Sequence, residues 1–190
     1  MKCLTCESWS LSIICKQCQE KFLVPTLYER ELEDGFKVYS FYGFEELQSL
    51  ISSKYEFFGD AVFEILAQNS FAKFAENFEY SEKIYSLGLD DHTRHGFSQT
   101  AILAKSLKSK FIEPVFGALR ATNYVKYAGK DLEFRLKNPR NFKYNGKNNI
   151  QVILVDDIIT TATTITEAKK TLEEHGCEVL FGLVLCDAKF

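Results

Sequence analysis

The 190-residue sequence predicts an α/β domain with a mainly parallel sheet and helices on both faces, preceded by a small cysteine-bearing appendage. Three observations lead there. Apolar runs of strand length alternate with helical patterns from residue 82 to the end. One run, residues 152–155, is four apolar, mostly β-branched side chains in a row, which reads as a buried strand. Four of the six cysteines fall within the first 18 residues. They mark off residues 1–24, too short to bury a core of their own, from a domain spanning residues 25–190.

Composition sets the limits. The hydrophobic fraction is 46%, with 17 Phe and 9 Tyr, enough for a sizeable core without disulfides. The net charge of −3 argues against a nucleic-acid binder driven by overall charge. It hides an asymmetry: residues 120–147 carry eight Lys/Arg against two acids, which leaves −9 on the rest of the chain. No stretch approaches the ~18 apolar residues of a membrane span. No charged n-region leads into an apolar h-region at the N-terminus, so a cytoplasmic location is expected.

Cys3, Cys6, Cys15 and Cys18 form a C-x₂-C-x₈-C-x₂-C pattern. Thiolates two residues apart can present two sulfurs to one ion, and two such pairs complete a tetrahedral shell. A closed, redox-silent structural site predicts Zn²⁺ ahead of an Fe–S cluster. Metal binding would then supply the folding energy of this segment. Cys177 and Cys186 lie in apolar, strand-like surroundings and read as core residues.

In chain order, residues 36–41 alternate as a strand, and 43–54 and 57–78 carry Phe, Leu and Ile at helical spacings. Residues 82–89 read as the first strand of the α/β unit. The polar run 90–99 leads into a helix over 101–107, and 112–119 is a further strand. After the strand at 152–155 come two carboxylates, a hydroxyl-rich turn and a helix over 165–175, with Gly176 as its C-cap. Ligands of parallel sheets collect at the carboxyl ends of strands. Asp156, Asp157, the 92–96 run and Arg120 all fall at predicted strand ends.

The segment 152–164 carries most of the chemistry. A strand, a short polar turn and a helix N-terminus hold phosphate well, because unpaired N–H groups and the helix dipole face the turn. The hydroxyls of Thr160, Thr161, Thr163 and Thr164 add donors without bulk, and Ala162 is the one small side chain among them. Asp156 and Asp157 would repel phosphate, so they suit another part of the same ligand, such as ribose hydroxyls or a bridging Mg²⁺.

This string resembles the phosphoribosyl pyrophosphate (PRPP) signature of type I phosphoribosyltransferases. The resemblance implies that Asp156 and Asp157, as the catalytic pair, take the ribose hydroxyls, while residues 160–164 wrap the 5′-phosphate. Family members usually carry Gly where this chain has Ala162. Together with the four cysteines, the element His95-Gly96-Phe97-Ser98-Gln99 followed by Leu103-Ala104 resembles the ComF family, which is associated with natural competence. Arg120, and Arg135 to Asn138 with Phe142, correspond to further elements of that family. His95 and Ser98 replace its Arg and Asn.

The resemblance implies a type I phosphoribosyltransferase-like fold behind a zinc ribbon. It also implies Mg²⁺-dependent displacement of pyrophosphate from PRPP by a nitrogen acceptor, a pentosyl transfer. The loop with Arg94, His95 and Gly96 would meet the pyrophosphate, and Arg120 with the basic 126–140 segment would close over it. Thr160 stands where purine-salvage relatives carry an Asp that meets the base, which points away from a 6-oxopurine acceptor. Two other readings stay open. One is a catalytically silent PRPP-sensing regulator. The other is a single-stranded DNA or protein adaptor of DNA uptake, using the ribbon and the basic 120–147 segment with Tyr124, Tyr127, Phe134 and Tyr144.

Overall fold

The structure, a computed structural model, describes residues 1–89, 96–123, 125, 127, 129 and 131–190. Helix α1 (Lys16–Phe22) follows the first cysteines. Next come β1 (Tyr28–Glu31), β2 (Lys37–Gly43), α2 (Phe44–Ile51) and a 3₁₀ turn at Ser52–Tyr55. Helices α3 (Gly59–Ala67) and α4 (Lys73–Asn77) are joined by a π turn at Gln68–Ala72. The α/β run then holds β3 (Ile84–Gly88), α5 (Gln99–Ser106), β4 (Ile112–Val115), β5 (Leu119–Ala121), α6 (Leu132–Lys137), β6 (Phe142–Tyr144), β7 (Gln151–Ile159), α7 (Thr163–Glu173) and β8 (Glu178–Asp187).

Six strands form one sheet in the order β1-β2-β8-β7-β3-β4. Every neighbouring pair is parallel except β1 with β2. The expected α/β class with a mainly parallel sheet and helices on both faces is borne out. Both edges are protected: β1 carries charged side chains, and β4 contains Pro114, which has no N–H to offer a further strand.

Side-chain alternation along β7 builds two cores. Ile153 and Val155 pack with Val62, Phe63 and Leu66 of α3 and Leu103 of α5. Val152 and Leu154 pack with Ile165, Ala168 and Leu172 of α7. All four strand residues are fully buried, each contributing about 1.5–3 kcal/mol of burial. The spacing of the buried positions on α7 is the helical stripe expected from sequence. The end of α7 is a Schellman turn, with Gly176 at φ +73°, its N–H donating to Glu173 and that of Cys177 to Leu172.

Two expectations are corrected. Residues 112–119 are not one strand: the chain turns at Gly117, in the left-handed region at φ +66°, so β4 closes the main sheet while β5 pairs with β6 in a separate antiparallel hairpin. Arg120 therefore lies mid-strand in that hairpin, opposite Lys143, and not at a strand end of the parallel sheet. The strand predicted at 152–155 runs on to Ile159, so the acidic pair belongs to the strand and not to the turn.

The N-terminal segment is docked, not dangling. Cys3, Ile14, Cys18 and Leu23 share one apolar cluster with Phe41, Tyr42 and Phe71. The Tyr42 hydroxyl donates to the Leu23 carbonyl (3.1 Å), and Asn69 donates to the Gln19 side chain (3.1 Å).

Candidate functional site

A cavity of about 1000 Å³ opens at the carboxyl ends of β7 and β8. Asp156, Asp157, Ile158, Thr160 and Thr164 line it from the β7–α7 connection. Phe44, Gln48, Lys54 and Tyr55 line it from α2 and the turn that follows. Tyr127, Arg135 of α6 and Arg140 line it from the connection between β5 and β6, and Phe142 from the start of β6. The segment singled out from the sequence is thus one wall of this cavity.

The two acids face different neighbours. Asp156 also lines a small recess with Ala162, Thr164 and Ile165 on the α7 side, and one of its oxygens accepts from the Asp157 N–H (2.8 Å). Asp157, 7% exposed, meets the Lys54 ammonium at 2.7 Å. Burial and then the Asp157 charge hold the Asp156 carboxyl well above the usual carboxylate range. Burial works against the Lys54 charge, but Asp157 outweighs it and the ammonium pKa is raised.

Helix α7 begins without a side-chain cap. Its N-cap is Ala162 at φ +63°, ψ −1°, and the first intrahelical bond runs from the Thr166 N–H to the Ala162 carbonyl (3.0 Å). The N–H groups of Thr163, Thr164 and Ile165 therefore have no carbonyl partner one turn back and point out of the helix end. A left-handed alanine costs about 1–2 kcal/mol. Ala162→Gly is expected to stabilise the protein by about 0.5–1 kcal/mol, after the extra chain entropy of Gly. Calorimetry should show a melting temperature higher by about 2 °C, and a lower value would contradict the strain.

Arginines fix this loop from outside it. Arg135 of α6 donates to the hydroxyls of Thr160 (2.5 Å) and Thr161 (3.3 Å). Arg30 of β1 donates to the Thr160 carbonyl (2.8 Å) and pairs with the buried Asp187 (3.2 Å). Glu167 of α7 accepts from the backbone N–H groups of Arg140 (2.9 Å) and Asn141 (2.6 Å), tying the hairpin to the helix.

The structure brings Asp156, Asp157 and the threonine loop together. Arg94 and His95, with His92 and Tyr124, lie outside the described residues. Gly96, at φ +86°, lies ahead of Ser98, which caps α5 by accepting from the Ala101 N–H (3.2 Å). Arg120 is exposed and does not line the cavity. Tyr127 and Tyr144 are buried. The Tyr127 ring packs under the Arg140 guanidinium (4.1 Å) and the Tyr144 ring packs against His175. Sequence reasoning missed Lys54 and Arg30. Arg135 stood in a family element and within the basic 126–140 segment expected to close over the pyrophosphate, with no contact to the threonine loop expected of it.

At the other end, the sulfurs of Cys3, Cys6, Cys15 and Cys18 all lie within 4.8 Å of one another. Cys6 and Cys15 are 3.7 Å apart, close to the ~3.8 Å edge of a tetrahedron with ~2.3 Å metal–sulfur bonds. The N–H groups of Cys15 (3.2 Å) and Thr5 (3.4 Å) donate to the Cys3 sulfur. Burial raises the Cys3 pKa, but backbone N–H groups outweigh it and hold the thiol at about 6, while burial and the neighbouring sulfurs push Cys18 up to about 12. Four such thiols ionise together only when a cation takes the charge, so the cluster could bind a metal such as zinc. Cys177 and Cys186 are buried elsewhere in the core.

No family model matches the chain. It is 25% identical over 185 residues to the competence protein ComFC of Streptococcus pneumoniae, covering 93% of this chain and 76% of that protein. Among solved structures, it matches adenine phosphoribosyltransferase of Saccharomyces cerevisiae at 17% identity and a TM-score of 0.44, over 91% of this chain and 89% of that one. It matches orotate phosphoribosyltransferase of Aeropyrum pernix at 18% and 0.38, over 90% and 80%. For the UMP synthase of Leishmania donovani the values are 15% and 0.42, over 90% of this chain but 31% of that protein's length. No described helix is long and apolar enough to cross a membrane. With four cysteines in ligand geometry at one end and the Asp-Asp strand and threonine loop at the other, the chain's resemblance to the ComF family is borne out.

Proposed function

We propose that this protein binds PRPP with Mg²⁺ and transfers its ribose 5-phosphate group to a nitrogen nucleophile, in the setting of DNA uptake. The observation that carries this reading is the convergence of the β7 carboxylates, the open N-terminus of α7 and the Arg135 guanidinium on one cavity.

Asp156 and Asp157 would accept the ribose hydroxyls. The N–H groups of Thr163 and Thr164, with the Thr160 and Thr161 hydroxyls, would hold the 5′-phosphate, and Arg135 would add charge-assisted bonds. The loop containing Arg94, His95 and Gly96 would offer N–H groups to the pyrophosphate. The nitrogen–C1 bond forms as the C1–oxygen bond breaks, and its electron pair leaves with pyrophosphate. Help is therefore mostly positional and electrostatic. Carboxylate oxygens are hard donors that suit Mg²⁺, which would neutralise charge on the leaving group. Residues 1–24 form a zinc-binding segment ahead of a domain spanning 25–190, and a reducing cytoplasm keeps those thiols available to the metal.

Pyrophosphate release from PRPP and Mg²⁺ is the test, run across a broad panel of nitrogen acceptors. The transferase reading expects turnover with at least one acceptor, lost in the Asp156→Asn/Asp157→Asn double variant. PRPP binding with no release for any acceptor would favour the regulator, a reading supported by the Lys54–Asp157 pair that occupies the grip in this state. Salt-sensitive binding of single-stranded DNA that survives both Asp changes would favour the adaptor.

A further inference from the structure

Among the described residues that line the cavity, Lys54 is the only lysine. It comes from the 3₁₀ turn and reaches across 103 positions of sequence to Asp157. Its side chain is 18% exposed, so water does not solvate the ammonium fully. Leaving Asp157 without a new partner would be costly. A cavity built for a polyphosphate also gains from a cation that offsets two adjacent carboxylates.

We propose that Lys54 is the resident counter-ion of the acidic pair. It occupies the Asp157 oxygen that a divalent cation or a ribose hydroxyl would take, and it passes to an anionic oxygen of the diphosphate when the ligand binds. This inference rests on the PRPP reading. The backbone that carries Lys54 is held in place: Ser53 is buried, and its hydroxyl donates to the Leu50 carbonyl (2.5 Å). Gly59 packs so closely on the Ser53 carbonyl that an added Cβ would lie 2.3 Å from it. The exchange therefore falls to the side chain, whose four-carbon stem and three rotatable donors suit it. The Tyr55 ring, 5.6 Å from the ammonium, offers a second face along the way.

Lysine and a divalent ion then compete for one oxygen, and the competition can be measured by binding alone. Calorimetric titration of PRPP at low and at high Mg²⁺ is expected to show Lys54→Met weakened roughly tenfold at low Mg²⁺ and largely restored at high Mg²⁺. Mn²⁺ without PRPP, followed by its paramagnetic signal, is expected to bind Lys54→Met roughly tenfold more tightly than the wild type. Equal Mg²⁺ dependence, or equal Mn²⁺ binding, overturns the inference. Lys54→Arg guards against a Met variant that does not fold. Its planar fork grips a carboxylate at two points and resists the exchange, so PRPP affinity should fall several-fold at both Mg²⁺ levels. Wild-type affinity in Lys54→Arg is the result of a merely structural cation and also overturns it. A wild type that binds no PRPP at any Mg²⁺ level sinks the PRPP reading itself, while the Mn²⁺ comparison still scores the occupancy of Asp157.

Discussion

Replacing Cys18 by Ser, or stripping the metal with a chelator, is expected to lower the melting temperature of the whole chain by roughly 8–16 °C. Cys18 is buried, and it shares a cluster with Ile14, Leu23, Phe41 and Tyr42. Without the fourth ligand of the proposed zinc site, the turns around Cys3–Cys6 and Cys15–Cys18 would lose the bonds to the metal, whose binding supplies the folding energy of such a segment. Ile14 and Leu23 would then return to water at about 1.5–3 kcal/mol each. A combined loss of about 4 kcal/mol gives the stated shift for a domain of this size. Calorimetry together with elemental analysis checks it. One Zn²⁺ per chain in the wild type, and none with a lowered melting temperature in the variant, is the expected result. A metal-free preparation that melts at the wild-type temperature would contradict it.

The second large effect is expected at Lys54. Lys54→Met leaves the Asp157 carboxylate buried beside Asp156 with no cation, a loss of about 3 kcal/mol and roughly 6–12 °C in melting temperature at neutral pH. Adding Asp157→Asn should restore much of this, because the unpaired charge is then gone.

The wild type carries its own slope with pH. Burial and the Asp157 charge raise the folded pKa of Asp156 above its unfolded value. Between those two values the folded state holds a proton that the unfolded chain has released, so stability falls as pH rises through that window. Asp156→Asn should flatten the slope and raise the melting temperature at neutral pH while weakening ligand binding. Melting curves across pH for the variants decide the matter. A Lys54→Met protein as stable as wild type at neutral pH would contradict the ion pair's role.

What the chain disclosed in one dimension was what depends on near neighbours. The strand at 152–155, the acids after it and the stripe Ile165, Ala168, Leu172 closed by Gly176 are local patterns, and all appear in the fold. The cysteine spacing is local too, and its four sulfurs converge. The hairpin of β5 and β6 was not legible, because three-residue strands have too few positions to show alternation. The turn at Gly117 hid inside an apolar run for the same reason.

Side chains that complete the site from afar left no pattern at all. Lys54 meets Asp157 103 residues away, and Arg30 meets the Thr160 carbonyl 130 residues away. Only the fold brings these pairs together. Ala162, standing where type I phosphoribosyltransferases usually carry Gly, was visible in the sequence. The backbone there takes the left-handed conformation that Gly would adopt at no steric cost.

The acidic pair and threonine loop as a PRPP grip is the central claim, and calorimetric titration of PRPP with Mg²⁺ tests it most directly. The wild type is expected to bind at one site per chain, and the Asp156→Asn/Asp157→Asn variant, folded by its melting curve, is expected to show no measurable binding. Equal binding by the two proteins, or none by the wild type, would contradict it.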